Sequence, residues 1–291
     1  MHWKKVSLIG VGLLGGSLGL ALKRRRLAES VVGFVRRAAS IAESESLGAV
    51  DHATRNLQSA VTGAELIVFC TPLAQMRPLA ERMLPFLKPG VIITDVGSVK
   101  GKLVQDLETL FSRARAHFIG SHPLAGGEKT GVAEARAELF TNAVCVITPT
   151  RRSNKAALLK VEALWRSAGS RLVRLTPEAH DELVSRSSHL PHVLAAQLAN
   201  FVLSADWPRE QAMLCANGFR DTTRVASGSP EMWRDIALAN RENLVRALAI
   251  FTERLNEFRR ALKTGNHRAV SKFFEQAKDR RDVWARKAGP T

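Results

Sequence analysis

The chain has 291 residues, 45% of them hydrophobic, and a formal net charge of +16. That length holds two domains with a core each, and the composition excludes a disordered or collagen-like chain. A charge this positive admits nucleic acid, an anionic membrane surface or small anionic molecules as partners. The basic runs Lys23–Arg26, Arg36–Arg37 and the last forty or so positions are not interleaved with aromatic residues in the regular way that single-strand binding favours. A small-molecule anion is therefore expected, with no nucleic acid and no membrane partner. Cys70, Cys145 and Cys215 are widely spaced, with no paired spacing and no histidine set beside them. They predict a reducing compartment and no metal, with Cys70 and Cys145 as buried apolar filler.

Lys4-Lys5, an uncharged stretch from Val6 to Leu22 and then Lys23-Arg-Arg-Arg26 imitate a signal or anchor segment. The glycines argue otherwise, and a cytoplasmic protein is expected. Val6-Ser-Leu-Ile9 is strand-like, Gly10-Val-Gly-Leu-Leu-Gly15 follows at once, and Ser17 to Arg24 has helical composition. This is the strand, glycine turn and helix of a dinucleotide fold. Gly10 makes the tight turn, Gly12 leaves room for a pyrophosphate, and Gly15 allows close packing of helix on strand. The loop, with Leu13 and Leu14 inside it, is the expected cofactor cradle, its helix start offering free N–H groups to phosphate.

Further apolar runs follow at Val31–Val35, Leu66–Cys70, Val91–Asp95, His117–Ile119, Val144–Ile147 and Leu172–Leu175, nearly all separated by helix-like segments. Strands apolar throughout, alternating with helices, predict a mainly parallel sheet covered on both faces. The fold class is α/β, a Rossmann-type doubly wound sheet over residues 1–175. After the second run the acid that would bind a ribose 2′-hydroxyl is absent, and Arg36 and Arg37 stand there instead. Two guanidiniums favour a 2′-phosphate and hence NADP over NAD, unless one arginine stacks on adenine and either cofactor serves. Thr71, after the Leu66–Cys70 run, joins the expected cofactor-binding set.

Beyond Thr176-Pro177 the strand pattern stops, so residues 176–291 are expected to form an all-helical domain. Ser188-His-Leu-Pro-His192 places two histidines three apart, with Pro191 requiring a kink or a helix start. Pro230 to about Leu262 reads as one long helix-compatible segment. In it Leu244, Leu248, Phe251, Leu255, Phe258 and Leu262 step by four and three, a packing seam for a neighbouring helix or for a second copy of the chain.

Gly120-Ser-His-Pro-Leu-Ala-Gly-Gly-Glu-Lys-Thr-Gly131 gathers a histidine, an acid and a lysine among glycines. Such a density of Gly and Pro predicts an ordered loop or turn after His117–Gly120. His122 is then a candidate general base, since imidazole is readily deprotonated near neutral pH; the plainer role for a His before Pro is to cap a turn.

Asp95-Val-Gly-Ser-Val-Lys-Gly101, Gly120-Ser-His-Pro-Leu-Ala-Gly126 with Glu128-Lys-Thr-Gly131, Ser188-His-Leu-Pro-His192, Phe219-Arg-Asp-Thr-Thr-Arg224 and Met232-Trp-Arg-Asp235 together resemble the motifs of the prephenate/arogenate dehydrogenase family of tyrosine biosynthesis. The resemblance is in order and spans nearly the whole chain. It implies oxidative decarboxylation of prephenate or arogenate with hydride transfer to NADP or NAD, a metal-free reaction, and a homodimer through the helical domain. By the same resemblance His122 is the base and Ser98 orients it or the hydroxyl. His192 would contact the substrate side chain, and Arg224 a carboxylate. Asp221 and Glu128 would order the arginine or gate the site, while Lys100 and Lys129 add positive potential. Each has a plainer alternative: Ser98 as a helix cap, Glu128 as a surface acid, His189 as a helix-start hydrogen bond, Trp233 as core. No appended regulatory domain or fused mutase is expected. A reductase of another small acid would want a catalytic lysine in the second domain, and a short-chain reductase a tyrosine, of which the chain has none. An NADP-binding regulator that also binds nucleic acid is the non-enzyme alternative.

Overall fold

The computed structural model describes residues 2–127 and 129–288. The chain first alternates strand and helix: β1 Trp3–Ile9, α1 Leu13–Arg24, β2 Ala28–Phe34, α2 Ala39–Ser46, β3 His52–Thr54, α3 Leu57–Val61, β4 Leu66–Phe69, α4 Leu73–Met83, β5 Ile92–Asp95, α5 Gly101–Ser112, β6 His117–Pro123, β7 Val144–Thr148, α6 Lys155–Ser167 and β8 Arg171–Arg174. Helices follow: α7 Pro177–Val184, α8 Leu190–Val202, α9 Glu210–Met213, α10 Asn217–Thr223, α11 Pro230–Ala239, α12 Arg241–Lys263 and α13 His267–Ala288. The strands form one eight-stranded sheet in the order β3-β2-β1-β4-β5-β6-β7-β8. Every pairing is parallel except β6 with β7. This is the doubly wound α/β class followed by helices. The short strand β3 carries too few apolar residues to stand out in the sequence.

The continuous apolar runs divide residue by residue between two cores, because successive side chains on a strand point to opposite faces. Val6, Leu8, Leu66, Val68, Ile92 and Ile119 face one core with α1 and α6. Ile9, Ile67, Phe69, Ile93 and Phe118 face the other with α3, α4 and α5. On α5 the buried positions Val104, Leu107, Leu110 and Phe111 make the apolar stripe that holds it on the sheet. Strand order reverses between β1 and β4. The crevice beyond the carboxyl ends of the strands there is the ligand position of open α/β sheets.

Two expectations are corrected. Ser121-His122-Pro123 is not loop: it extends β6 beyond Gly120, with Ser121, His122 and Pro123 paired to Ile147, Val146 and Cys145. Gly120 is present for space rather than for a turn, since a Cβ there would sit 2.4 Å from Thr148 Oγ1 and 2.7 Å from Val104 Cγ2. The segment from Pro230 to Leu262 is two helices, broken at Asn240. The buried Asn240 amide donates to the Asp181 carbonyl at 2.8 Å, which ties the end of α11 to α7.

By internal contacts the chain divides into Met1–Arg241 and Glu242–Thr291. Within the second unit α12 and α13 form a hairpin about Gly265, which turns with a positive φ of 59°. Phe258 stacks on Phe273 at 4.3 Å between ring centroids and meets Phe274 edge-on. Among the described residues no helix is long and apolar enough to cross a membrane.

Candidate active site

The parallel register brings the carboxyl ends of β1, β2, β4, β5 and β6 to one edge of the sheet. The glycine loop, Arg36 and Arg37, Thr71, Ser98 and His122 follow or end these strands, so the topology gathers them there. Gly10 has a φ of +103°, and a Cβ on it would lie 2.9 Å from the Cys70 carbonyl oxygen. A Cβ on Gly15 would fall 2.0 Å from the Gly10 oxygen, whereas one on Gly12 would meet nothing within 4 Å. Gly10 and Gly15 are therefore required for the fold, and Gly12 keeps a space open. Gly12 also caps α1 without any side-chain bond, so the N–H groups of Leu13 and Leu14 face outward with the positive end of the helix. Thr71 Oγ1 is buried with no hydrogen-bond partner. An open cradle, a bare helix start and an orphaned hydroxyl fit the diphosphate of a dinucleotide. Arg36 and Arg37 are exposed just past β2. The chain after Gly126 returns to this cradle: Gly127 packs beside Leu13, with its Cβ position 3.4 Å from Leu13 Cδ2.

His122 is only 9% exposed. Its Nδ1 lies 2.8 Å from Nε2 of His180, and His180 Nδ1 lies 2.8 Å from Asp181 Oδ1. Asp181 accepts the Lys100 and Gly101 N–H groups at 2.7 Å each. These are orphan donors at the start of α5, capped here by a residue eighty positions away. Burial holds the His122 imidazole well below the ordinary histidine pKa, and the neighbouring His180, Lys100 and His189 reinforce the shift. A neutral ring is what a general base requires.

Beneath His122 lies a buried polar floor. Asp95 pairs with Lys100, both fully buried, and its other oxygen accepts the Ser121 N–H at 3.0 Å. Ser121 Oγ accepts from Trp165 Nε1 at 2.9 Å. Lys100 is thus buried and paired with the strand-end carboxylate, and its charge still adds to the lowering of the His122 pKa. Lys129 is exposed and pairs loosely with Glu134 at 3.6 Å. Glu128 lies outside the described residues.

The helical part adds a second group. Between α7 and α8 the chain makes a wide π-helical turn, Ser185–His189, in which Leu190 N–H reaches back five residues to the Ser185 carbonyl. Such turns re-aim side chains at functional sites. His189 sits in the turn, 1% exposed, with Nδ1 accepting from Asn240 at 3.2 Å and Nε2 buried without a partner. Burial pushes its pKa down to about 4, with Asp181 opposing and His180 and His192 adding to the shift. His192 donates Nδ1–H to the Ser188 carbonyl at 2.9 Å and stacks on Trp233 at 3.6 Å. Burial lowers its pKa too, against the Ser188 carbonyl, which raises it.

Asp221 and Arg224 are exposed at the end of α10 and on the short turn after it, which packs against α8, the helix of His192. A cleft of about 390 Å³ opens there, lined by Phe219, Arg220, Thr223 and Arg224 among others. His122 does not line it. Ser98 is half-buried on the loop between β5 and α5, and the N-cap position of α5 is held by Lys100, not Ser98, with no cap bond from its own side chain. His180, Asp181 and Asn240 were missed from the sequence. The only signal was the adjacent His180-Asp181 pair directly after the Thr176-Pro177 helix start. No group of three or more His, Cys, Asp or Glu side chains able to hold a metal occurs among the described residues.

Two family models match in tandem: the prephenate dehydrogenase nucleotide-binding domain over residues 18–174 and the prephenate dehydrogenase dimerization domain over residues 176–276. Prephenate dehydrogenase of Bacillus subtilis is 32% identical, covering 95% of this chain and 75% of that protein. Cyclohexadienyl dehydrogenase of Zymomonas mobilis is 33% identical, covering 96% of this chain and 95% of its own. The crystal structure of A. aeolicus prephenate dehydrogenase with hydroxyphenyl propionate and NAD+ superposes with a TM-score of 0.92 at 30% identity, over 98% of this chain and 99% of that one. With the glycine cradle, the buried neutral histidine and these matches in hand, the chain belongs to the prephenate dehydrogenase family and is a nicotinamide-dependent oxidoreductase.

Proposed function

We propose that the chain oxidises and decarboxylates prephenate, or arogenate, with His122 as the base. The observation that carries this reading is His122 itself, a buried imidazole whose pKa is held low, at the carboxyl end of β6 and so at the same end of the sheet as the glycine cradle. A nicotinamide held by the glycine cradle would supply the acceptor for the hydride of the carbinol carbon. His122 takes the hydroxyl proton as that C–H pair leaves and the C=O bond forms. The C–C bond to the ring carboxylate then breaks, its electrons enter the ring and CO2 departs. The proton returns from His122 to the phenol oxygen, so atoms and charge balance. Ser98, on the adjoining loop, is assigned to orient the hydroxyl or the imidazole.

His192 and Arg224 are assigned to the substrate's side chain and a carboxylate, Arg224 by a charge-assisted grip. Asp221 and Glu128 are assigned as helpers of that grip. The absence of an acid after β2, with Arg36 and Arg37 exposed there, supports NADP as the preferred cofactor. A domain division at residue 175 is supported by the Thr176 cap and Pro177 that open α7. A homodimer through the helical part is supported by apolar side chains left exposed, Met213, Leu214 and Phe201 in one unit and Leu255, Leu262 and Trp284 in the other. Three unpaired cysteines support a cytoplasmic location.

The test is the absorbance of reduced nicotinamide when the protein meets prephenate or arogenate, each with NADP or NAD. Turnover is expected with at least one pairing, faster with NADP. No turnover in any of the four, by a folded protein that binds dinucleotide, would overturn the reading.

A further inference from the structure

We infer that His180 is a positioning residue that decides which nitrogen of His122 is basic, an inference that rests on the reading of His122 as the base. The order of donors follows from the far end of the chain of bonds. Asp181 already accepts two backbone N–H groups, and a carboxylate has only acceptor sites to offer. His180 Nδ1, 2.8 Å from Asp181 Oδ1, is therefore the donor. A neutral imidazole with its proton on Nδ1 has only a lone pair on Nε2. The 2.8 Å bond between His180 Nε2 and His122 Nδ1 is then donated by His122. His122 is left with a proton on Nδ1 and a bare lone pair on Nε2, the nitrogen free to take a hydroxyl proton.

The interposed ring has a physical purpose. A carboxylate bonded directly to His122 would favour its charged form. One imidazole ring between them fixes the tautomer and keeps the full negative charge a ring away. His180 is fully buried, so no water competes for either of its nitrogens. When His122 takes up a proton, its Nδ1–H remains bonded to His180 and the new charge is shared toward Asp181. Asp181 also fixes the first N–H groups of α5, directly after the loop of Ser98. One carboxylate thus holds both the base and the segment that carries its proposed helper.

The test uses the full-length protein saturated with oxidised cofactor. Nitrogen-15 NMR of labelled histidine should show His122 with a protonated Nδ1 and an unprotonated Nε2. In His180→Leu the two forms should mix. The same variant should lose about 10²-fold or more in kcat, with KM for substrate and cofactor within about twofold of wild type. His180→Gln, whose amide oxygen can accept the Nδ1–H, should recover about tenfold of that loss. A wild-type His122 protonated on Nε2, or a His180→Leu enzyme with unchanged kcat, would overturn the inference. The wild-type spectrum needs no variant to fold and no turnover. An inactive wild type with the expected tautomer would therefore sink the function and leave the relay standing.

Discussion

His122 is legible in the sequence as a lone imidazole among glycines, but the packing that lowers its pKa is not. The groups that tune it, His180 and Lys100, stand fifty-eight positions ahead of it and twenty-two behind; the packing of α7 against α5 brings in His180, and the pairing of β5 with β6 brings in Lys100. Lys100 reads in sequence as one more cation in a basic chain; its burial with Asp95 depends on where β5 ends. Arg36 and Arg37 are the opposite case, since exposed residues just past a strand end are readable from spacing alone. Replacing both by alanine should raise KM for NADP by about tenfold or more while leaving KM for NAD nearly unchanged, because a 2′-phosphate loses charge-assisted bonds that a hydroxyl never made. Equal effects on the two cofactors, measured in steady-state kinetics, would remove the pair from the 2′ position.

At the scale of elements, strands and their alternation with helices were legible because apolar runs and glycine turns act locally. The end of β6 was not. Gly and Pro argue for a loop by local preference, and pairing to β7 overrides that preference once Gly120 lets β6 pass between Thr148 and Val104. Gly120→Ala should therefore cost about 1–3 kcal/mol through overpacking and lower kcat by displacing His122 two residues on. Urea denaturation and kinetics of the variant check this; wild-type values in both would mean that the crowding relaxes freely. The break at Asn240 escaped notice because Pro230 to Leu262 carries helical periodicity throughout, and a helix ended by a buried amide bond to another segment leaves no local mark.

At the scale of the whole molecule, the buried histidines make stability depend on acid. His122 and His189 both have folded-state pKa values below 6.5, His189 at about 4. Between pH 6.5 and those values the unfolded chain binds protons that the folded chain refuses, so stability is full above pH 6.5 and declines as pH falls. For His189 alone the loss by pH 4 is on the order of 3 kcal/mol, at about 1.4 kcal/mol per pH unit. Denaturation midpoints taken from pH 7 to pH 4 should fall, and fall less steeply in His189→Gln. Identical slopes in the two proteins would mean that His189 is protonated in the fold.

The central claim is that a neutral His122 removes the proton. It is tested most directly by kcat/KM against pH for wild type and His122→Asn. The wild-type rate should hold steady below pH 6.5 and decline only in more acid solution, as burial requires. The variant should be slower by about 10²-fold or more and lack that acid limb. A variant that kept most of the wild-type rate, or the same acid limb in both proteins, would contradict the account.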